Sequence, residues 1–397
     1  MRMLVRFVKF AAAMVLCGIA AVCLLLLTMW REHTTAVSLP SPTGSFAIGR
    51  TLMAWTSPAS HEQLALWIWY PAATAHQPAA EYLPARWRQA VREHQGLFMR
   101  AFFKRDPAVV RTNSHTGAPM ATEPRTFPVV LLRPGGSALT ADFTVLAEGL
   151  ASHGYVVVGF DAPARSFVFV DSAGRVIGRE PANNVENANG NLADPGVGRL
   201  LAMWVADARA VIDRLQQLND DSGGTFAGRL DVTRLGAVGH SFGGATALEF
   251  CHEDARCRVA IDLDGIPFGS VVADGLAKPA MFLLSDHSRE LSDPESHTVL
   301  ERIESIHARL PTPRVYATIR TASHFSFGDQ ILLNSPIALR LLRLAGFGSL
   351  DPMHGLRISA DYVRTFFDVT LQVPARPALK RLFDSYPEVV GRYDETR

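Results

Sequence analysis

Cysteine is scarce in this chain: four in 397 residues, with no Cys-x-x-Cys pair, so neither a zinc ribbon nor a thioredoxin-type redox centre is written in it. An excess of one charge is also missing. The 39 Lys and Arg nearly balance the 38 Asp and Glu, leaving a formal net charge of +1, and no general attraction to nucleic acid is expected. There is no helix-turn-helix, zinc-finger or aromatic–basic repeat, which excludes the usual nucleic-acid partners. His-Glu-x-x-His is absent, as is any local cluster of His and Asp at ligand spacing, so no metal is expected. No Walker or Rossmann glycine pattern calls for a nucleotide, so no cofactor is expected. The 24 prolines are scattered through connections, and no internal repeat is visible. No feature specifies an oligomeric state.

What is present divides into a short N-terminal segment and a long body. Arg2, Arg6 and Lys9 precede an uncharged run from Phe10 to Trp30, long enough to cross a bilayer core as a helix. Positive charge before the run, against the offsetting pair Arg31 and Glu32 after it, predicts a cytoplasmic N-terminus and an exported body. Residues 1–30 are therefore read as an uncleaved membrane anchor, with a cleaved signal peptide as the alternative. Cys17 and Cys23 lie inside the run as apolar filler. Cys251 and Cys257 are six residues apart, and either a bridge or two buried thiols fits that spacing.

Residues 31–397 read as one α/β domain with no natural cut. Strands are predicted at Arg50–Trp55 and Leu64–Tyr70, a helix within 81–107, and a loop from Thr112 to Arg125. An alternating rhythm follows. Apolar strands at Phe127–Leu132, Tyr155–Phe160, Leu235–Val238, Val259–Leu263, Ala280–Leu284 and Val315–Ile319, the last read as the final strand, are separated by helices at Phe143–Ser152, Arg199–Leu218, Phe242–Phe250 and Ser296–Leu310. Continuous apolar strands of this kind are covered on both faces, and the alternation predicts a mostly parallel sheet between two layers of helices. Residues 172–198 have little periodicity and read as an excursion over the sheet edge, either shaping an active-site mouth or forming a plain surface loop. Asp207 is the one polar residue close to an otherwise apolar helix face, and His307 is expected on the wet side of its helix.

Chemistry concentrates at the C-terminal ends of the strands. Gly239-His240-Ser241-Phe242-Gly243 is a Gly-x-Ser-x-Gly turn between a strand and a helix, which places a reactive serine at Ser241. Small residues flank it where side chains would collide with the turn, and the helix N-terminus offers free N–H groups to an oxyanion. Serine needs a base and an acid to orient that base, and in this topology the order is Ser, acid, His. His324, after the strand Val315–Ile319, is the candidate base. Asp264 and Asp286 each follow a strand and both remain open as the acid; Asp262 is a polar neighbour with no catalytic role assigned. Phe242 and Gly136, in Pro134-Gly135-Gly136-Ser137, are the candidate oxyanion donors. His240 is expected to face away from the attack site under the turn, and His287 to line the site mouth.

At these residues the chain resembles the platelet-activating-factor acetylhydrolase family of α/β-hydrolases. The resemblance rests on Gly239-His240-Ser241-Phe242-Gly243-Gly244-Ala245-Thr246, on Cys257-Arg258-Val259-Ala260-Ile261-Asp262-Leu263-Asp264-Gly265, on Thr318-Ile319-Arg320-Thr321-Ala322-Ser323-His324-Phe325, and on Ser41–Gly49 and Trp69-Tyr70-Pro71-Ala72. It implies the α/β-hydrolase fold, metal-free hydrolysis of a carboxylic ester through an acyl-serine, and a lipid or small-molecule ester as partner. Carried over residue by residue, it implies Ser241 as nucleophile, Asp264 as acid, His324 as base, and Gly136 and Phe242 as oxyanion donors. One departure is Arg133-Pro134 where the family commonly has His-Gly. The alternatives are a lipase or polyester hydrolase on the same machinery and a catalytically silent fold used for binding.

Overall fold

The computed structural model describes residues 2–96, 104–136, 138–183, 185, 194–288, 294–344, 349–372 and 378–394. The strands in chain order are β1 (Val37–Ser38), β2 (Ala47–Thr56), β3 (Gln63–Ala72), β4 (Ala79–Glu81), β5 (Val110–Thr116), β6 (Phe127–Arg133) and β7 (Val156–Asp161). They continue as β8 (Val168–Val170), β9 (Val176–Gly178), β10 (Leu230–His240), β11 (Cys257–Leu263), β12 (Ala280–Leu284), β13 (Arg314–Ile319) and β14 (Val389–Asp394). The main sheet runs β1-β5-β2-β3-β7-β6-β10-β11-β12-β13-β14, with β4 paired to β5. From β7 to β13 every pairing is parallel, while β3 and β14 lie antiparallel to their neighbours. This is the α/β-hydrolase fold.

Side-chain alternation along the central strands builds two cores. On β6, Val130 and Leu132 enter one cluster, with Val238, Ile261 and Leu283, under the helices Thr144–Ser152 and Pro352–Leu371. Phe127, Val129 and Leu131 enter the other, with Ala237, Ala260 and Phe282, under Pro195–Asp220, Phe242–Glu253 and Pro294–Ala308. The long helices start where the sequence provides a cap. Asp194 accepts from Gly196 N–H with Pro195 in the first turn, and Asp351 accepts from His354 N–H with Pro352 following; both arrangements satisfy an otherwise orphan donor.

The structure departs from the sequence reading at four places. Within 81–107 the described helix is confined to Ala85–His94. Thr112–Thr116 belongs to strand β5 and not to a loop; its Asn113 and Ser114 N–H groups bond to the buried Glu148 carboxylate. Strand β13 is not the last, because β14 pairs beyond it as an antiparallel edge. His307 is buried rather than wet, packed edge-on against Tyr316. Asp207, the polar exception on its helix, is fully buried and held by Arg165 at 2.6 Å, Ser57 at 3.0 Å and Ser60 at 2.8 Å. Cys251 and Cys257 form a disulfide between the end of Phe242–Glu253 and the start of β11.

The helix Arg2–Thr34 contains a segment, Val5–Thr34, long and apolar enough to cross a membrane, and it meets the requirement for a signal sequence equally by length and composition. Its C-terminal end rests on the body: Met29 and His33 are buried, and Ser335 donates its hydroxyl to Glu32 Oε2 at 2.7 Å.

Candidate active site

Strand β10 ends at His240, and the helix Phe242–Glu253 begins one residue later. Ser241 is forced into the turn between them with φ 56° and ψ −126°, a backbone conformation that costs a non-glycine residue on the order of 1–3 kcal/mol. Two glycines make the turn possible. A Cβ on Gly239 would lie 2.0 Å from the Gly243 carbonyl oxygen, and one on Gly243 would lie 2.3 Å from the Arg133 carbonyl oxygen. The Ser241 N–H is anchored to the Leu263 carbonyl of β11 at 2.9 Å.

Ser241 opens into a small cleft of about 30 Å³, whose walls include Gly135, Phe143, His240, His324, Phe325 and Gln330. His324 enters from the short helical turn after β13. Its Nδ1 donates to Asp264 Oδ2 at 2.8 Å. Asp264 itself stands just past the end of β11 with φ 55°. Its side chain is 1% exposed, and its two oxygens take four donors. Oδ2 accepts from His324 Nδ1 and from Ser285 Oγ at 2.8 Å; Oδ1 accepts from the Ser285 N–H at 2.8 Å and from His287 Nε2 at 2.8 Å. Burial alone would raise the pKa of this carboxyl, but the bonds from His287 and His324 outweigh it and hold the group well below the ordinary carboxylate range.

Asp286 is turned elsewhere. Its carboxylate accepts from Thr321 N–H at 2.8 Å and from Ser288 N–H at 3.1 Å, tying together the loops after β12 and β13. Asp262 is buried beneath the turn, accepts from Gly265 N–H at 2.8 Å, and is pushed to a strongly raised pKa by burial.

His240 does not face away from the site. Its ring lines the cleft, lies 4.5 Å from the His324 ring, and packs against Phe143 and Phe327. Nε2 bonds to the carbonyl oxygen of His324 at 2.7 Å, so Nε2 carries the hydrogen and Nδ1 is a buried acceptor with no partner among the described residues. Burial and the adjacent His324 push its pKa down to about 3, so the ring is neutral.

The segment after β6 carries Gly135 and Gly136 past the serine, with Gly135 near enough that a Cβ there would lie 3.1 Å from Ser241 Cβ. The Gly136 carbonyl accepts from Arg179 Nη1 at 2.9 Å. Arg179 follows the small β8–β9 hairpin, so the excursion read at 172–198 reaches the edge of the site; residues 184 and 186–193 of it fall outside the described set. Arg133 stays out of the cleft. It is buried behind the sheet between the rings of Phe160 and Trp204, 3.7 and 4.4 Å from their centroids, and donates to the Phe160 carbonyl at 2.5 Å. Burial lowers its pKa to about 9.

Sequence reasoning missed two residues here. His287 holds the Asp264 carboxylate rather than merely lining the mouth, and Arg179 buttresses Gly136. The position of Ser285-Asp286-His287 immediately after β12 was the available signal for the first; nothing local announced the second. Among the described residues no group of three or more His, Cys, Asp or Glu is placed to hold a metal ion.

Comparison with known proteins agrees with this geometry. The family described as platelet-activating factor acetylhydrolase, isoform II, matches residues 216–375, the stretch that contains Ser241, Asp264 and His324. The chain is 24% identical to the platelet-activating factor acetylhydrolase of Cavia porcellus over 79% of its own length and 73% of the relative's. It is 25% identical to a probable 1-alkyl-2-acetylglycerophosphocholine esterase of Arthroderma benhamiae over 66% of this chain and 65% of that one. A solved ferulic acid esterase from Streptomyces cinnamoneus superposes with a TM-score of 0.72 at 27% identity, covering 90% of this chain and 99% of the other. With this fold and these relatives, the chain is an α/β-hydrolase and a serine-type ester hydrolase, similar to the platelet-activating factor acetylhydrolases and esterases.

Proposed function

We propose that Ser241, His324 and Asp264 act as the catalytic triad of a short-acyl ester hydrolase. The observation that carries this reading is the bond from His324 Nδ1 to Asp264 Oδ2 at the edge of the cleft that holds Ser241. A histidine whose Nδ1–H is engaged by a carboxylate presents its Nε2 lone pair, and that atom takes the proton of Ser241 Oγ as the oxygen attacks the ester carbonyl. Negative charge developing on the carbonyl oxygen is met by the N–H groups of Phe242, at the helix N-terminus, and of Gly136. As the tetrahedral intermediate collapses, His324 returns the proton to the leaving alcohol, and an acyl-serine remains. Water, deprotonated by His324, then cleaves the acyl-serine by the same steps in reverse.

The cleft size favours a short acyl group on a lipid-like or simple alcohol, in keeping with the acetylhydrolases and the acetylglycerophosphocholine esterase among its relatives. A second reading, an aromatic acyl group, is favoured by the walls of Phe143, His240 and Phe325 and by the likeness to a ferulic acid esterase. We further read the N-terminal helix as a retained anchor that holds a single hydrolase domain on the outer side of a membrane. Acetate release from p-nitrophenyl acetate by the full chain is expected to fall about 10⁴-fold or more in Ser241→Ala, with loss of fluorophosphonate labelling. Equal rates for the two proteins would overturn the triad. Profiling acyl esters from C2 to C16 beside methyl ferulate separates the short-acyl, long-chain and aromatic readings.

A further inference from the structure

Two histidines meet the one acid of this site. His324 donates to Asp264 Oδ2 and His287 donates to Asp264 Oδ1, each at 2.8 Å. Only His324 lines the cleft with Ser241, so the second histidine cannot be exchanged for the first as a base. We propose that His287 is a positioning residue for the triad: it locks the Asp264 carboxylate from the side opposite His324 and draws charge away from the oxygen that orients the base. The proposal rests on the triad reading above.

A carboxylate on a short side chain turns freely about its last bond unless both oxygens are pinned. At Asp264, Oδ2 is the working atom and Oδ1 is held by Ser285 N–H and His287 Nε2. The Asp264 side chain is 1% exposed and His287, itself 30% exposed, covers it from the rim, so a ring of similar size without a donor would keep water from Oδ1. A donor lost here leaves a buried anionic oxygen short of one partner, a costly condition in a low-dielectric site. The carboxylate then concentrates its charge on the remaining donors, chiefly His324, and holds the imidazolium form of that ring more strongly. The titratable groups facing the pair are His287 and Asp286 from the loop after β12, His240 from the nucleophile turn, and Asp262 from β11. Of these, Asp286 lies beside His287 but spends its own oxygens on Thr321 and Ser288.

The test is the pH profile of kcat/KM for full-length enzyme in detergent, with concentrations set by titration of active serines with a fluorophosphonate. His287→Phe keeps a ring but removes the donor. It is expected to lower kcat about tenfold, leave KM within about twofold, and move the acid limb to higher pH by about half a unit or more. His287→Gln, whose amide can donate to the same oxygen, is expected to return the limb to its wild-type place. His287→Asn, too short to reach, is expected to behave like His287→Phe and serves if the apolar variant does not fold. An unmoved acid limb in His287→Phe or His287→Asn, whatever the loss of rate, would overturn the proposal. Ser241→Ala is run in parallel: residual wild-type activity there indicts the triad, while a dead Ser241→Ala beside an unmoved limb indicts His287 alone.

Discussion

His240 shows how one buried side chain can bind the chemistry of the site to the pH response of the whole fold. In the unfolded chain it titrates near 6.5, and in the fold its pKa is pushed down to about 3. Between these values the unfolded state binds the extra proton, so stability must fall as pH drops below about 6.5 and go on falling to about 3. The buried acids oppose it. Burial raises Asp161 to about 6 and Asp329 well above the ordinary carboxylate value, so in the folded state they hold protons that the unfolded chain has already released, and their effect is lost stability as pH rises. The net profile therefore hides the histidine, and a difference measurement is needed. His240→Phe keeps the packing against Phe143 and Phe327 but does not titrate. Unfolding midpoints of the two proteins from pH 7 to pH 4 are expected to converge on acidification, at up to about 1.4 kcal/mol per pH unit, because only the wild type pays for an unprotonated imidazole. Parallel curves would show that His240 is protonated in the fold. The second nitrogen gives a reason for the choice of residue: Nε2–H fixes the His324 carbonyl, and hence the proposed base, in a way that phenylalanine cannot.

At the scale of elements, the excursion that carries β8 and β9 earns a role through one bond. Arg179 donates to the Gly136 carbonyl at 2.9 Å, and it lies close enough that a Cβ on Gly136 would meet its Nη1 at 3.5 Å. An oxyanion donor is effective only if its N–H is already aimed when charge develops. Arg179→Ala is accordingly expected to lower kcat for p-nitrophenyl acetate about tenfold with little change in KM. Arg179→Lys, which keeps charge without the planar fork, should recover part of the loss. A kcat equal to wild type in Arg179→Ala would show that Gly136 holds its orientation unaided. The same element explains what could and could not be read in advance. The central strands were legible because burial on both faces writes them as apolar runs, as in Phe127–Leu132 and Ala280–Leu284. Strand β5 was not, since its Asn113 and Ser114 are satisfied by Glu148, 34 or more residues away; nor was β14, whose Arg392 and Asp394 suit an exposed edge. For the site, the Ser241 turn is a local motif and could be found locally. The choice between Asp264 and Asp286 could not, because both end a strand and differ only in which way the carboxylate turns. Arg179 was beyond reach for the same reason: its partner is 43 residues distant, and no periodicity encodes a single long-range bond.

For the whole molecule, the question is whether the hydrolase body travels with its N-terminal helix. A cleaved signal has no reason to fit the mature fold. Here Met29 and His33 are buried against the body, and Glu32 accepts from Ser335, the residue that leads into the helix Pro336–Leu344 and lies 11 positions after His324 in the chain. Removing residues 1–30 would take Met29 from that contact and leave a new terminus beside it. The rest of the span is exposed along its length, as a lipid-facing helix must be, and its 30 residues rise about 45 Å at 1.5 Å per residue, enough for the hydrocarbon core and one interface. On the anchor reading, Arg2, Arg6 and Lys9 favour a cytoplasmic start, and the Cys251–Cys257 disulfide would then lie in an oxidising compartment where such a bond persists. The expected outcome is that the protein stays with membranes through alkaline carbonate extraction and that its intact mass includes the N-terminal segment. Alkylation before reduction should modify Cys17 and Cys23 alone once detergent exposes them, with Cys251 and Cys257 reacting only after reduction. A soluble protein whose N-terminus lies near residue 30 would overturn the anchor, and its activity beside that of the full-length chain would then measure how much the helix carrying Met29 contributes to the loop that carries His324.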